Sequence, residues 1–153
     1  MANSYTQIHI QAVFAVKYRD AVIAESWREE LQQYCTGIIQ NYSHKVLAIY
    51  AMPDHVHVLF GFRPTQSLAD LMENLKGTSS QWINEKRFLK TKFAWQIGYG
   101  AFSYTKTDVP KVVKYVLNQP EHHKKRTFLE EYEDMLKRHE VEYDERYIFK
   151  ELE

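Results

Sequence analysis

Residues 52–60 read Met-Pro-Asp-His-Val-His-Val-Leu-Phe, and this run constrains the fold more than any other stretch of the chain. Side chains two apart on a β-strand point to the same face. His55 and His57 therefore stand side by side, while Val56, Val58 and Phe60 point the other way and need a core. A strand with one apolar and one imidazole face belongs in a sheet whose core lies on one side. Two neutral imidazoles fixed on one face can form half of a metal site, the alternative being two solvated histidines on a surface strand.

The flanking segments supply that sheet. Thr6 to Val16 alternates, with Ile8, Ile10, Ala12, Phe14 and Val16 on one face, and reads as a long strand. Trp27, Leu31, Tyr34, Cys35, Ile38, Ile39 and Tyr42 recur at helical spacing, with Ser26 as the expected cap. Val46 to Ala51 and His55 to Phe62 are two strands joined through Pro53-Asp54, a turn-forming pair. A second amphipathic helix runs from Ser67 to about Phe88, and extended, aromatic-rich sequence follows from Phe93 to Tyr104, broken at Gly98-Tyr99-Gly100. The order strand, helix, strand, strand, helix, strand predicts an α+β fold with the ferredoxin-like split βαβ arrangement and an antiparallel sheet. Two helices then cover one face, and the His pair lies on an opposite, open face. A third helix is expected from Val109 to about Asn118, near Pro120, and a charged helix from about Thr127 to His139 before a short tail.

No repeat or linker interrupts the 153 residues, so the expectation is one domain over 1–153. Its core spans about 4–105, a further helix about 109–119, and an acidic helix and tail 127–153. With 44% hydrophobic and 14% aromatic residues the composition is that of a globular domain, which excludes disorder and collagen-like structure. No apolar run approaches the roughly 20 residues that span a bilayer, and no signal-peptide segment follows Met1. The single cysteine, Cys35, cannot form an intrachain disulfide and lies in an apolar helical register, as a buried small hydrophobe does. The cytoplasm is the expected compartment. Net charge is zero, yet residues 1–126 hold 16 Lys/Arg against 10 Asp/Glu, and residues 127–153 hold 4 against 10. A polyanion would therefore meet the body of the chain and avoid its end.

The third helix carries the second half of the candidate site. Val109, Val112, Val113, Val116 and Leu117 form its apolar stripe. At about 100° per residue, Tyr115 falls roughly 130° from the stripe centre and Gln119 roughly 90° from it. The two are four apart, hence neighbours on one flank. A tyrosine held off the core stripe is a candidate for contact with something outside its helix.

Met52-Pro53-Asp54-His55-Val56-His57, then Trp95-Gln96-Ile97-Gly98-Tyr99-Gly100-Ala101-Phe102-Ser103, then Tyr115-Val116-Leu117-Asn118-Gln119, in this order, resemble the single-tyrosine HUH transposases of bacterial insertion sequences, the TnpA-type enzymes of the IS200-like family. The resemblance spans nearly the whole chain. It implies that Tyr115 is the nucleophile, attacking a phosphodiester of single-stranded DNA to leave a 5′-phosphotyrosine and a free 3′-hydroxyl. It implies that His55, His57 and Gln119 hold one divalent ion, magnesium or manganese. Imidazoles suit manganese better than magnesium, so manganese is expected to serve at least as well. The resemblance also implies recognition of DNA hairpins at element ends, and a homodimer in which Tyr115 and Gln119 complete the partner's site in trans.

Lys106, Lys111 and Lys114 sit on or beside the Tyr helix and are candidates for DNA phosphate contact. His122, His123, Lys124, Lys125 and Arg126 form a second basic cluster, and Lys76 with Thr78-Ser79-Ser80 a third candidate contact. Gly98 and Gly100 are read as a tight turn before the Tyr helix, with freedom for that helix to relocate as the other reading. Three other functions fit less of the chain: a domesticated hairpin-binding protein or REP-associated tyrosine transposase acting on host repeats, a replication-initiator or relaxase enzyme, and an RNA-binding ferredoxin-like module.

Overall fold

The computed structural model describes residues 3–145. Four strands, β1 (His9–Ala15), β2 (Lys45–Ala51), β3 (His55–Gly61) and β4 (Gly100–Tyr104), form one sheet in the order β2-β3-β1-β4. Every neighbouring pair is antiparallel. Helix α1 (Glu25–Asn41) carries the chain from β1 to β2 over the intervening β3, and α2 (Leu68–Lys86) carries it from β3 to β4 over β1. Each crossover skips one strand, which is the split βαβ arrangement expected from the element order. Residues 146–153, the end of the expected acidic tail, lie outside the described residues.

Alternation along β1 and β3 decides the two faces. Ile10, Ala12, Phe14, Val56, Val58 and Phe60 pack against Leu31 and Ile39 of α1 and Leu71 and Leu75 of α2. Burial of each such side chain contributes about 1.5–3 kcal/mol. Cys35 lies in this core, 1% exposed, and burial pushes its thiol up to about 12, so it packs as an inert hydrophobe. Helix α2 begins where Ser67 accepts a hydrogen bond from the Asp70 backbone N–H, and it ends on Arg87 in the left-handed region. Ser26 is not a cap: α1 starts one residue earlier at Glu25, with Ala24 in the N-cap position, so Ser26 lies within its first turn.

The second face departs from expectation. It is not open. Helix α3 (Val109–Leu117) sets Val112 and Val116 on Ala48 and Leu59, while α5 (Phe128–Arg138) sets Phe128, Met135 and Leu136 on Val13, Ala15 and Phe102. Between them, α4 (Gln119–His122) is a single turn. The physical reason is that the segment read as a charged surface helix also carries an apolar stripe, and that stripe has only this face to bury against. Its start is fixed by a capping box: Thr127 Oγ1 accepts from Glu130 N at 3.2 Å, and Glu130 Oε1 accepts from Thr127 N at 2.8 Å.

Among the glycines before the Tyr helix, Gly98 has φ 92°, the left-handed turn conformation glycine adopts freely. Gly100 answers to packing. A Cβ there would lie 2.6 Å from Cε1 of Tyr132 on α5.

Candidate metal and tyrosine centre

His55 and His57 project from β3 on the face away from α1 and α2, as their register demands, and both are 0% exposed beneath α3–α5. Each ring is oriented from behind. Gln11 of β1 donates from Nε2 to the Tyr104 hydroxyl at 2.8 Å, so its Oε1 faces His57 Nδ1 at 2.7 Å and takes that nitrogen's hydrogen. Asp54 Oδ1 accepts from His55 Nδ1 at 2.7 Å. Both Nε2 atoms then point forward into the centre.

What faces them are acceptors. Gln119 donates from Nε2 to Glu131 Oε2 at 3.1 Å, which turns its Oε1 toward His55 Nε2 at 3.2 Å. Glu131 Oε1 lies 3.0 Å from His57 Nε2 and 3.6 Å from His55 Nε2. Burial lowers the His57 pKa to about 4 against the opposing pull of Glu131, so this imidazole is neutral at pH 7 and Nε2 carries a lone pair. Nitrogen lone pairs, an amide oxygen and a carboxylate oxygen thus converge with too few hydrogens between them. One atom from each of His55, His57 and Glu131 falls within a 4.8 Å cluster. This donor set, with an acceptor behind each imidazole, fits a divalent cation.

The nucleophile candidate is in place. The Tyr115 hydroxyl donates to Glu131 Oε2. Burial, and then the Glu131 charge, push the phenol above its ordinary value, so Tyr115 is un-ionised here. The Glu131 carboxyl is held far below the usual carboxylate range: burial opposes this, but the hydrogen bonds it accepts, that from His123 first, prevail. His123 donates from Nδ1 to the Arg126 carbonyl at 3.0 Å, and its Nε2 lies 3.0 Å from both Gln119 Oε1 and Glu131 Oε1. Two acceptors on one nitrogen call for a hydrogen there. The His123 pKa is accordingly raised, the Glu131 hydrogen bond and charge outweighing the cost of burial.

The structure therefore brings His55, His57, Tyr115 and Gln119 together within one chain, so completion in trans is not needed to assemble them. Gln119 reaches the centre by a different route from the one expected. Helix α3 ends at Leu117, because Pro120 cannot continue it, and Gln119 opens the next turn. Glu131 is absent from the sequence reading, and His123, read there as part of a basic DNA-contact cluster, belongs instead to this centre. The signal for Glu131 was a carboxylate three residues after Phe128 and four before Met135, on the apolar stripe itself. Lys106, Lys111 and Lys114 are all exposed, but Lys106 opens on a depression with Arg63 and Lys45, whereas Lys111 lines a cleft at Tyr115. Lys76 and Ser79 are structural: Lys76 Nζ donates to the Gln96 and Gly98 carbonyls, and Ser79 Oγ accepts from Trp95 Nε1.

Residues 4–119 match the sequence profile of the family described as transposase IS200 like. The chain belongs to the IS200-like transposase family. This transposase is 25% identical to the ISDra2 transposase TnpA of Deinococcus radiodurans over 118 residues, 74% of this chain and 84% of that protein. Two solved structures share its fold. One is a crystal structure described as a transposase from Deinococcus radiodurans R1, with TM-score 0.63 and 23% identity, covering 76% of this chain and 94% of that one. The other is a REP-associated tyrosine transposase bound to a REP hairpin, with TM-score 0.59 and 14% identity, covering 79% and 72%. The profile stops at residue 119, so Glu131 and His123 of this transposase lie beyond it. No described helix is long and apolar enough to cross a membrane.

Proposed function

We propose that this protein cleaves and rejoins single-stranded DNA through a tyrosine-linked intermediate formed at Tyr115. The observation that carries the reading is the convergence of His55, His57, Gln119 and Glu131 on one point, with the Tyr115 hydroxyl hydrogen-bonded to the same carboxylate. Tyr115 Oη attacks a phosphodiester; the Oη–P bond forms, the P–O3′ bond breaks, and the strand is left with a free 3′-hydroxyl. The phenolic proton passes along the existing hydrogen bond to Glu131, and the departing 3′-oxygen takes up a proton. Because the phosphotyrosine conserves the energy of the broken bond, rejoining needs no nucleotide cofactor. A divalent ion held by His55, His57, Gln119 and Glu131 would polarise a non-bridging phosphate oxygen, and two imidazole ligands suit manganese better than magnesium. Gln11 and Asp54 keep the two rings oriented for that role.

A folded DNA hairpin with an unpaired flank is the proposed substrate, in line with the hairpin carried by the REP-associated neighbour. A homodimer would present two such centres to the two ends of an element. The test is incubation of the protein and manganese with a labelled hairpin bearing single-stranded flanks, followed by denaturing electrophoresis. A band of covalent protein–DNA adduct is expected, and Tyr115→Phe should abolish it; an equal adduct from that variant refutes the mechanism. In a second reading, favoured by the REP hairpin bound to that neighbour, this protein acts on hairpins that occur at many loci and not only beside its gene.

A further inference from the structure

A cleft of about 260 Å³ opens beside Tyr115 and has no part in the chemistry described so far. Lys111 of α3, Arg126 of the loop before α5, and Arg138 of α5 line it together with Tyr104 and His139. Three cations face a single carboxylate, Asp134. That carboxylate bridges two of them: its Oδ2 lies 3.2 Å from Arg126 Nη1 and 3.1 Å from Arg138 Nη2. An anionic oxygen between two guanidiniums is the arrangement in which a phosphate is bound. Two aromatic rings line the cleft as well, the His139 ring set edge-on to Tyr104 at 5.3 Å between centroids. Cations and aromatic rings lining one cleft match a nucleotide, phosphate against the cations and base against a ring.

We infer that this cleft is a subsite for the unpaired nucleotide next to the scissile phosphate, with Asp134 occupying the place of that nucleotide's phosphate until DNA arrives. The inference rests on Tyr115 as the DNA nucleophile, because Tyr115 is one wall of the cleft. Lys111 and Arg126 bind the incoming phosphate. Asp134 and Arg138, three residues past Glu131 and Met135 respectively on α5, then pair with each other at i, i+4. The subsite is also wired to the centre: Tyr104 accepts the hydrogen bond from Gln11, whose other end holds His57. A base seated on Tyr104 thus lies two hydrogen bonds from a metal-ligand candidate.

The experiment measures binding of a fluorescent hairpin with a single-stranded flank by anisotropy, across a salt series and with chelator present so that no cleavage occurs. Lys111→Gln and Arg126→Gln should each weaken binding about threefold to tenfold and lower the log–log salt slope by about 0.7, the value for one phosphate contact on a single strand. Asp134→Asn, which frees both guanidiniums, should tighten binding. A neutral methylphosphonate placed at one linkage beside the scissile position should cost the wild-type protein the same factor and cost Arg126→Gln nothing further. Unchanged affinity and slope in both cation variants overturn the subsite, as does equal weakening on a hairpin lacking the flank. The two readings fail separately. If the wild type binds and shows these effects but forms no Tyr115 adduct when manganese is added, the mechanism falls, and the cleft stands as a site for the single-stranded flank without its assignment to the scissile position.

Discussion

His57 offers a measurable consequence of the centre's geometry in the metal-free protein. Its folded pKa lies at about 4, and its unfolded value is 6.5, the difference arising first from burial of a ring that is 0% exposed. Between those values the unfolded chain binds a proton that the folded chain refuses. Stability therefore falls as pH drops through this window, and is fully present above 6.5. At about 1.4 kcal/mol per unit, the whole window is worth about 3 kcal/mol, of which about 2 kcal/mol is lost by pH 5. His123 acts with the opposite sign, since its pKa is raised and its contribution is lost as pH rises. The His57→Gln variant keeps His123, so the comparison isolates His57. The assay is urea unfolding of both proteins in chelator at pH 7.5, 6 and 5. The gap in unfolding free energy between wild type and variant should close by about 2 kcal/mol over that range. Parallel curves would refute the neutral, lone-pair-bearing His57 on which the metal reading depends.

Other outcomes follow from the same contacts. Manganese at a hundredfold its dissociation constant should stabilise the wild type by about 2.7 kcal/mol, seen as a rise in Tm of roughly 5–10 °C that chelator reverses; His55→Ala should lose most of that rise. Glu131→Gln keeps the shape of the side chain but not its charge, and should slow adduct formation by about a hundredfold or more in a time course, while leaving hairpin affinity within about twofold. Gly100→Ala places a methyl 2.6 Å from Tyr132 Cε1, so thermal melting should show a loss of about 1–3 kcal/mol as α5 is pushed off β4.

Period-two alternation in β1 and β3, and 3.6-residue periodicity in α1 and α2, made the sheet, its topology and the outward face of the His pair legible without coordinates. Those signals are strong because one face of each element is uniformly apolar. Tyr115 and Gln119 were legible as residues off the stripe of α3, although Pro120 breaks the helix that was expected to join them. The covering of the second face was not legible. Phe128, Met135 and Leu136 are apolar residues scattered through a segment dominated by charge, and whether they bury depends on a sheet face far away in sequence. Glu131 was hidden for the same reason. A carboxylate in an acidic segment looks solvated until its helix is docked, and only then do His57, His123, Tyr115 and Gln119 meet around it.

The account turns on Tyr115 as the atom that takes hold of DNA. Digesting the protein after reaction with a manganese-loaded hairpin substrate, and sequencing the nucleotide-bearing peptide by mass spectrometry, tests it most directly. The predicted result is a peptide spanning Tyr115 that carries a 5′-linked nucleotide on the phenolic oxygen, absent from Tyr115→Phe. A nucleotide on any other residue, or cleaved DNA with no linked peptide at all, would contradict it.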